Sequence, residues 1–220
     1  IENAAREPEI NDLAFALNKM GAKINVKKNG IIKIDGVNSL TQATHKIMSD
    51  RIVAGTFVIA AVMLNKKFIV KDINSSHLEA LTSSLIKMGA KLKVEKTSIQ
   101  IMPTTNLFGI KIQTSPYPGF PTDLQAQIMA LMSLANGNSQ IKENIFENRF
   151  MHVPELKRMG AQIIIKDKTA IIKGPTKLTG AEVMATDLRA SVSLVLAGMI
   201  AENRTIINRI YHLDRGYEFL

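Results

Sequence analysis

Lys19-Met20-Gly21-Ala22-Lys23 and Lys87-Met88-Gly89-Ala90-Lys91 are the same five residues, and Arg158-Met159-Gly160-Ala161-Gln162 is a near copy. Their glycines are 68 and 71 residues apart. Each copy follows an acidic-apolar start, at Pro8-Glu9-Ile10, His77-Leu78-Glu79 and Pro154-Glu155-Leu156. Between start and glycine, Ile10, Leu13, Ala14 and Leu17 recur with a helical period. The glycine then falls just past the helix, where a left-handed C-cap is cheap only for Gly. Two short β-like runs follow each time. In the first copy these are Lys23 to Val26 and Ile31 to Ile34, with Asn29-Gly30 between them as a hairpin signal. Leu92 to Val94 with Ile99 to Ile101, and Ile163 to Ile165 with Ala170 to Ile172, repeat the pattern.

A second marker keeps step with the first. Ser49-Asp50, Thr122-Asp123 and Thr186-Asp187 each open an apolar helical stretch, and a strand closes each unit at Phe68 to Val70, Gln140 to Lys142 and Thr205 to Ile207. The chain therefore reads as a tandem array of one α/β unit, packed around shared helices. Ile1-Glu2-Asn3 reads like the strand end Lys142-Glu143-Asn144, and Asp214 to Leu220 like the start of a fourth helix, so the chain is expected to be cut from a longer protein at both ends.

Composition narrows the function. With 46% apolar and 21% charged residues, the 220-residue chain has the make-up of a soluble globule. It has no cysteine, which excludes a disulfide framework and thiolate metal sites. The apolar run from Ile52 to Leu64 is too short for a membrane span. The net charge of +9 suits nucleic acid or small anions. However, the lysines alternate with apolar residues on strands, as in Ala90-Lys91-Leu92-Lys93-Val94, and aromatics are only 5% with no Trp, which argues against base stacking. The four histidines lack metal-ligand spacing, and no Gly-rich phosphate loop is present.

Comparison among the repeats singles out candidate site residues. A Ser/Thr-Asp that all units share reads as an N-cap. Asp123 differs because the rigid loop Ser115-Pro116-Tyr117-Pro118-Gly119-Phe120-Pro121 presents it, and Asp187 because Arg189 follows. Glu147-Asn148-Arg149-Phe150-Met151-His152 lengthens one strand-to-helix connection, either as a helix lead-in or as a functional loop. Arg215 offers a fork for carboxylate or phosphate, or is an ordinary solvated residue. Met20, Met88 and Met159 read as core fillers.

The motifs around Phe120 to Gln127, Glu147 to Leu156, Ala185 to Ser191 and Asp214 to Glu218, with Ile1 to Arg6, resemble the enolpyruvyl transferase family. They are most similar to its UDP-N-acetylglucosamine 1-carboxyvinyltransferase branch, over about the second half of a member. The resemblance implies two α/β domains, each an inside-out barrel with threefold internal repetition. Residues 1–47 would then finish one domain and 48–220 make most of the other. It implies a cytoplasmic enzyme that opens peptidoglycan synthesis, with phosphoenolpyruvate and UDP-N-acetylglucosamine as substrates and no metal, organic cofactor or nucleic acid. Asp123 would be the base that also holds the sugar hydroxyl. Ile145, where the family usually has Val, would touch the nucleotide sugar through its backbone. Asp187 would face the developing cation, Arg215 would grip phosphoenolpyruvate, and Arg149 and Arg189 would join the anion cluster. The family's proton-donating loop and Lys-Asn pair have no counterpart here, so these 220 residues alone should be inactive. The alternatives are the shikimate-pathway enolpyruvyl transferase, whose signature motifs are not seen, and a non-catalytic repeat module that binds anionic partners.

Overall fold

Gly21, Gly89 and Gly160 have φ of +97°, +95° and +96°, one residue past the cap of a helix in each case. The structure, a computed structural model, describes residues 1–217. Before these glycines run α1 (Pro8–Lys19), α3 (Glu79–Lys87) and α5 (Val153–Arg158). After them come the antiparallel pairs β1 (Lys23–Val26) with β2 (Ile32–Asp35), β4 (Lys91–Glu95) with β5 (Ser98–Met102), and β8 (Gln162–Lys166) with β9 (Thr169–Gly174). The helix, glycine and hairpin unit therefore occurs three times as expected.

The second helices are α2 (Arg51–Met63), α4 (Gln125–Met132) and α6 (Leu188–Ile200). The strands that close the units are β3 (Phe68–Lys71), β7 (Gly137–Lys142) and β11 (Ile206–Asn208). β3 and β7 each pair antiparallel with the second strand of the following hairpin, β5 and β9. Sequence periodicity missed two further strands, β6 (Lys111–Gln113) and β10 (Glu182–Met184). They lie parallel to β7 and β11, so α4 and α6 are crossovers of βαβ units. Three residues give no readable alternation, and their pairing is non-local.

The main core begins at Ile52 and runs through Ala197. All eight residues of α4 are buried, so it is the axis on which the other elements pack. Leu81 of α3 lies at the seam between α2 and α4, beside Gly55 and Leu124, while α5 packs against α6 and reaches α4 through His152 and Met129. The third seam, between α6 and α2, is open among the described residues and forms an apolar groove of about 740 Å³.

Residues 1–47 contribute nothing to that core. Leu13, one of the periodic apolar positions of α1, is 57% exposed, whereas Ala14 beside it is buried. Met88 and Met159 are fully buried as core fillers, but Met20, outside that core, is only half-buried. Near the C-terminus the expected helix start is instead the end of a 3-10 helix, Ile210–Arg215, which Gly216 terminates. The rest of that expected helix, 218–220, lies outside the described residues.

Candidate functional site

The N-termini of α2, α4 and α6 meet at one end of the helix cluster. Gly55 in the first turns of α2 abuts Leu124 at the head of α4, and Arg189 at the head of α6 reaches Asp123. Tyr217 Oη shares a hydrogen bond of 2.8 Å with Thr56 Oγ1 on α2. Gln127 Nε2 donates both to Thr56 Oγ1 (3.2 Å) and to the Asp123 carbonyl (2.9 Å). Three helix N-termini so placed concentrate partial positive charge, a setting that favours anions.

The three repeated aspartates diverge here. Asp50 Oδ1 accepts from the Ile52 and Val53 amides at 2.7 and 3.1 Å, and Asp187 Oδ1 from the Arg189 and Ala190 amides at 2.8 and 2.9 Å. Both are N-caps, as a shared Ser/Thr-Asp should be. Asp123 sits in a 3-10 turn, Thr122–Leu124, before α4, and its side chain caps nothing. Arg149 Nη2 donates instead to its Oδ1 (2.7 Å), and Arg189 Nη2 to its Oδ2 (2.8 Å). The proline loop sets this geometry. A Cβ on Gly119 would lie 1.8 Å from Ser115 Oγ and 3.1 Å from the Pro116 carbonyl, so a larger residue there would have to turn the Ser115 hydroxyl aside in a tightly packed loop.

Burial works to raise the Asp123 pKa, but the charges and hydrogen bonds of Arg189, and then of Arg149, outweigh it and hold the carboxyl below the usual carboxylate range. Asp123 is thus an anion at neutral pH. The Arg149 guanidinium also lies over the Phe146 ring, 4.7 Å from its centroid. The connection Glu147 to His152 leads into α5 with His152 packed inside, although Met151, expected to pack locally, is 54% exposed. Arg149 enters the cluster, whereas His152 is 2% exposed, with Nε2 3.2 Å from Met129 Sδ. Burial, opposed by Asp187 and assisted by Arg149, lowers the His152 pKa to about 4.

A cavity of about 300 Å³ opens beside this cluster, lined in part by Arg51, Tyr117, Asp123, Ile145 and Phe146. The larger groove between α6 and α2 is lined mostly by apolar side chains, with Lys66 its one charged residue. It offers little hold for an anion, whereas the smaller cavity has Arg51 and Asp123 in its wall. Of the residues singled out in the sequence, Asp123, Arg149 and Arg189 are bonded together, and Asp187 lies close enough to act on His152. Ile145 lines the cavity. Arg215 is exposed at the end of its 3-10 helix and makes no side-chain hydrogen bond to the described residues, although the adjoining Gly216 packs on Leu188, between Asp187 and Arg189. No group of three metal-ligating side chains occurs among the described residues, and none of their helices is long and apolar enough to cross a membrane.

Sequence reasoning passed over Glu143. It is 1% exposed, and its carboxylate takes four hydrogen bonds. The signal was present: Ser139, Ile141 and Glu143 alternate on the buried face of β7 and its continuation, so the acidic residue is in phase with core positions.

All 220 residues match the family model described as EPSP synthase (3-phosphoshikimate 1-carboxyvinyltransferase). The chain is 54% identical over 221 aligned residues to UDP-N-acetylglucosamine 1-carboxyvinyltransferase of Bdellovibrio bacteriovorus, covering 100% of itself and 53% of that protein. It is 53% identical to the enzyme of the same name from Geotalea daltonii, again covering 100% of itself and 53% of the relative. The chain thus spans about half the length of the curated relatives it matches. Among solved structures, the enolpyruvyl transferase NikO from Streptomyces tendae superposes with a TM-score of 0.89 at 26% identity, over 98% of this chain and 52% of that one. An EPSP synthase from Acinetobacter baumannii shares the fold at a TM-score of 0.69 and 18% identity, over 90% of this chain and 50% of its own. A full-length family match, a shared fold and three repeats around a common helix cluster agree: the chain belongs to the EPSP synthase family of enolpyruvyl transferases.

Proposed function

We propose that these residues form one wall of a site that transfers the enolpyruvyl group of phosphoenolpyruvate to the 3-hydroxyl of UDP-N-acetylglucosamine. The observation that carries this reading is Asp123, the repeated aspartate withheld from capping and held by two arginines. Identities of 50–54% to enzymes named for that sugar nucleotide favour it over 3-phosphoshikimate as acceptor.

The sugar hydroxyl is a very weak acid, and Asp123, with its pKa lowered, is a weak base. Proton removal must therefore be concerted with attack of the hydroxyl oxygen on C2. C3 takes its proton from a group outside the described residues. Loss of phosphate from C2 and of a proton from C3 then restores the double bond. Positive charge developing at C2 is offset by nearby carboxylates, with Asp187 the candidate. Arg149 and Arg189 are bound to Asp123 in the unliganded site. An anionic substrate that draws either of them away relieves the depression of the Asp123 pKa as the acceptor arrives. Arg215 completes the grip on phosphoenolpyruvate, and Ile145 meets the sugar through its backbone.

On this reading the activity serves peptidoglycan synthesis in the cytoplasm. A domain boundary near residue 47 is supported by a main core that begins at Ile52. The test is calorimetric titration with UDP-N-acetylglucosamine, and then phosphate release, using a chain of the relatives' full length that contains these residues. Binding of 3-phosphoshikimate in its place, or of neither ligand, would overturn the assignment.

A further inference from the structure

Glu143 stands where three segments of the cavity wall meet. Its Oε1 accepts from the Thr114 hydroxyl (2.8 Å) and from the amides of Ile145 (2.8 Å) and Phe146 (3.1 Å). Its Oε2 accepts from the hydroxyl of Thr122 (2.9 Å), the residue before Asp123. Thr114 Oγ1 in turn accepts from the Asn144 amide at 2.9 Å. No Lys, Arg or His lies within salt-bridge distance of this buried carboxylate among the described residues. A buried acid without a counter-cation is a costly way to fill space, and an apolar side chain would pack there more cheaply.

We propose that Glu143 is a positioning residue for the acceptor, a clasp that fixes the Thr122-Asp123 turn and the Ile145-Phe146 turn at one separation. It holds the base on one side of the cavity and the sugar-facing backbone on the other. It also seats Phe146, the ring under Arg149. The clasp decides which ligand it serves. Both amides of the Ile145-Phe146 turn are spent on Glu143, so that turn offers a ligand only its carbonyls. A carbonyl accepts hydrogen bonds. Sugar hydroxyls and an acetamido N–H can donate them, whereas the ionised carboxylate and phosphate of the enolpyruvyl donor cannot. Loss of the clasp should therefore weaken the acceptor and spare the donor.

This inference rests on the acceptor-sugar reading above, and the test separates the two. In a chain of the relatives' full length, Glu143→Asp withdraws the carboxylate by one methylene, while Glu143→Gln keeps its length. Thr122→Val removes one tie and Thr122→Ser keeps it. In Glu143→Asp the Ile145 and Phe146 amides should lose protection from hydrogen exchange, a readout that needs no ligand. The KM for UDP-N-acetylglucosamine should rise about tenfold to a hundredfold, while that for phosphoenolpyruvate stays within about twofold. Thr122→Val should move the same way, with Gln at 143 and Ser at 122 restoring most of the affinity. Unchanged amide protection in Glu143→Asp would overturn the clasp. Equal rises in both KM values with a lowered melting temperature would reduce Glu143 to a structural role. If the parent chain binds no nucleotide sugar while the amides respond as expected, the functional reading falls, and the positioning claim falls with it.

Discussion

Acid should unfold this chain through His152. The imidazole is 2% exposed, its pKa is lowered to about 4 by burial, and its Nε2 meets a thioether, a weak acceptor that does little to stabilise a cation. In the unfolded chain the same group titrates near 6.5. Between these values the unfolded state carries a proton that the folded state refuses, so stability falls as pH falls. The contribution is fully present above about pH 6.5 and is lost progressively down to about pH 4. At about 1.4 kcal/mol per pH unit, the whole window is worth roughly 3 kcal/mol. Asp123, with its pKa also lowered, loses stability in the same direction, but below the ordinary carboxylate range. Urea unfolding at steps between pH 7.5 and 4.5 measures the slope. A His152→Asn variant, which cannot titrate, should be less stable at neutral pH but flatter across the window. The imidazole resonance of His152, followed by NMR, reports the folded pKa directly. A midpoint near 6.5, or equal slopes in parent and variant, would refute the argument that burial keeps this ring neutral.

In a chain of the relatives' full length, Asp123→Asn keeps size and removes the base, so turnover should fall about 10²–10⁴-fold while nucleotide-sugar binding weakens less. Unchanged turnover would leave Asp123 without a catalytic part. Arg215→Lys in the same chain keeps the charge but not the planar fork. Its apparent affinity for phosphoenolpyruvate should drop with that for UDP-N-acetylglucosamine barely altered, and separate titrations of each substrate would remove Arg215 from the site if the first does not change. Gly160→Ala meets nothing closer than 3.7 Å, so its cost is the positive φ alone, about 1–2 kcal/mol by denaturant unfolding. A neutral result would mean that the C-cap can relax.

The glycines made the helix-and-hairpin units legible, because a residue at φ near +95° leaves a mark that no other requirement imposes at that spacing. β6 and β10 left none. Each is three residues long and owes its existence to a parallel neighbour more than 20 residues away. Met20 was misjudged as a core filler, since periodicity marks the apolar face of α1 but not how deeply each position on it is covered. At the site, Asp123 and Arg149 stood out because one unit alone places them on an unusual loop, and Arg189 because it follows a repeated Asp. The exchange of a cap for two arginines could not be read, because both arginines lie far from Asp123 in sequence, at 149 and 189. Glu143 was legible in the period-two pattern of β7, but buried carboxylates are rare enough that a solvated strand end was the readier interpretation.

The uncapped head of α4 bears on any attempt to harden the protein against heat. A capping aspartate contributes about 1 kcal/mol, which Asp50 and Asp187 supply to their helices and Asp123 does not. A library ranked by survival at high temperature will therefore reward exchanges that settle the head of α4, and any such exchange at Asp123 itself removes the carboxylate from Arg149 and Arg189. Ranking by turnover after a heat step, instead of by residual fold, would keep that trade visible. It would direct stabilising changes to α1 and α3, whose heads carry no side-chain cap and none of the site residues.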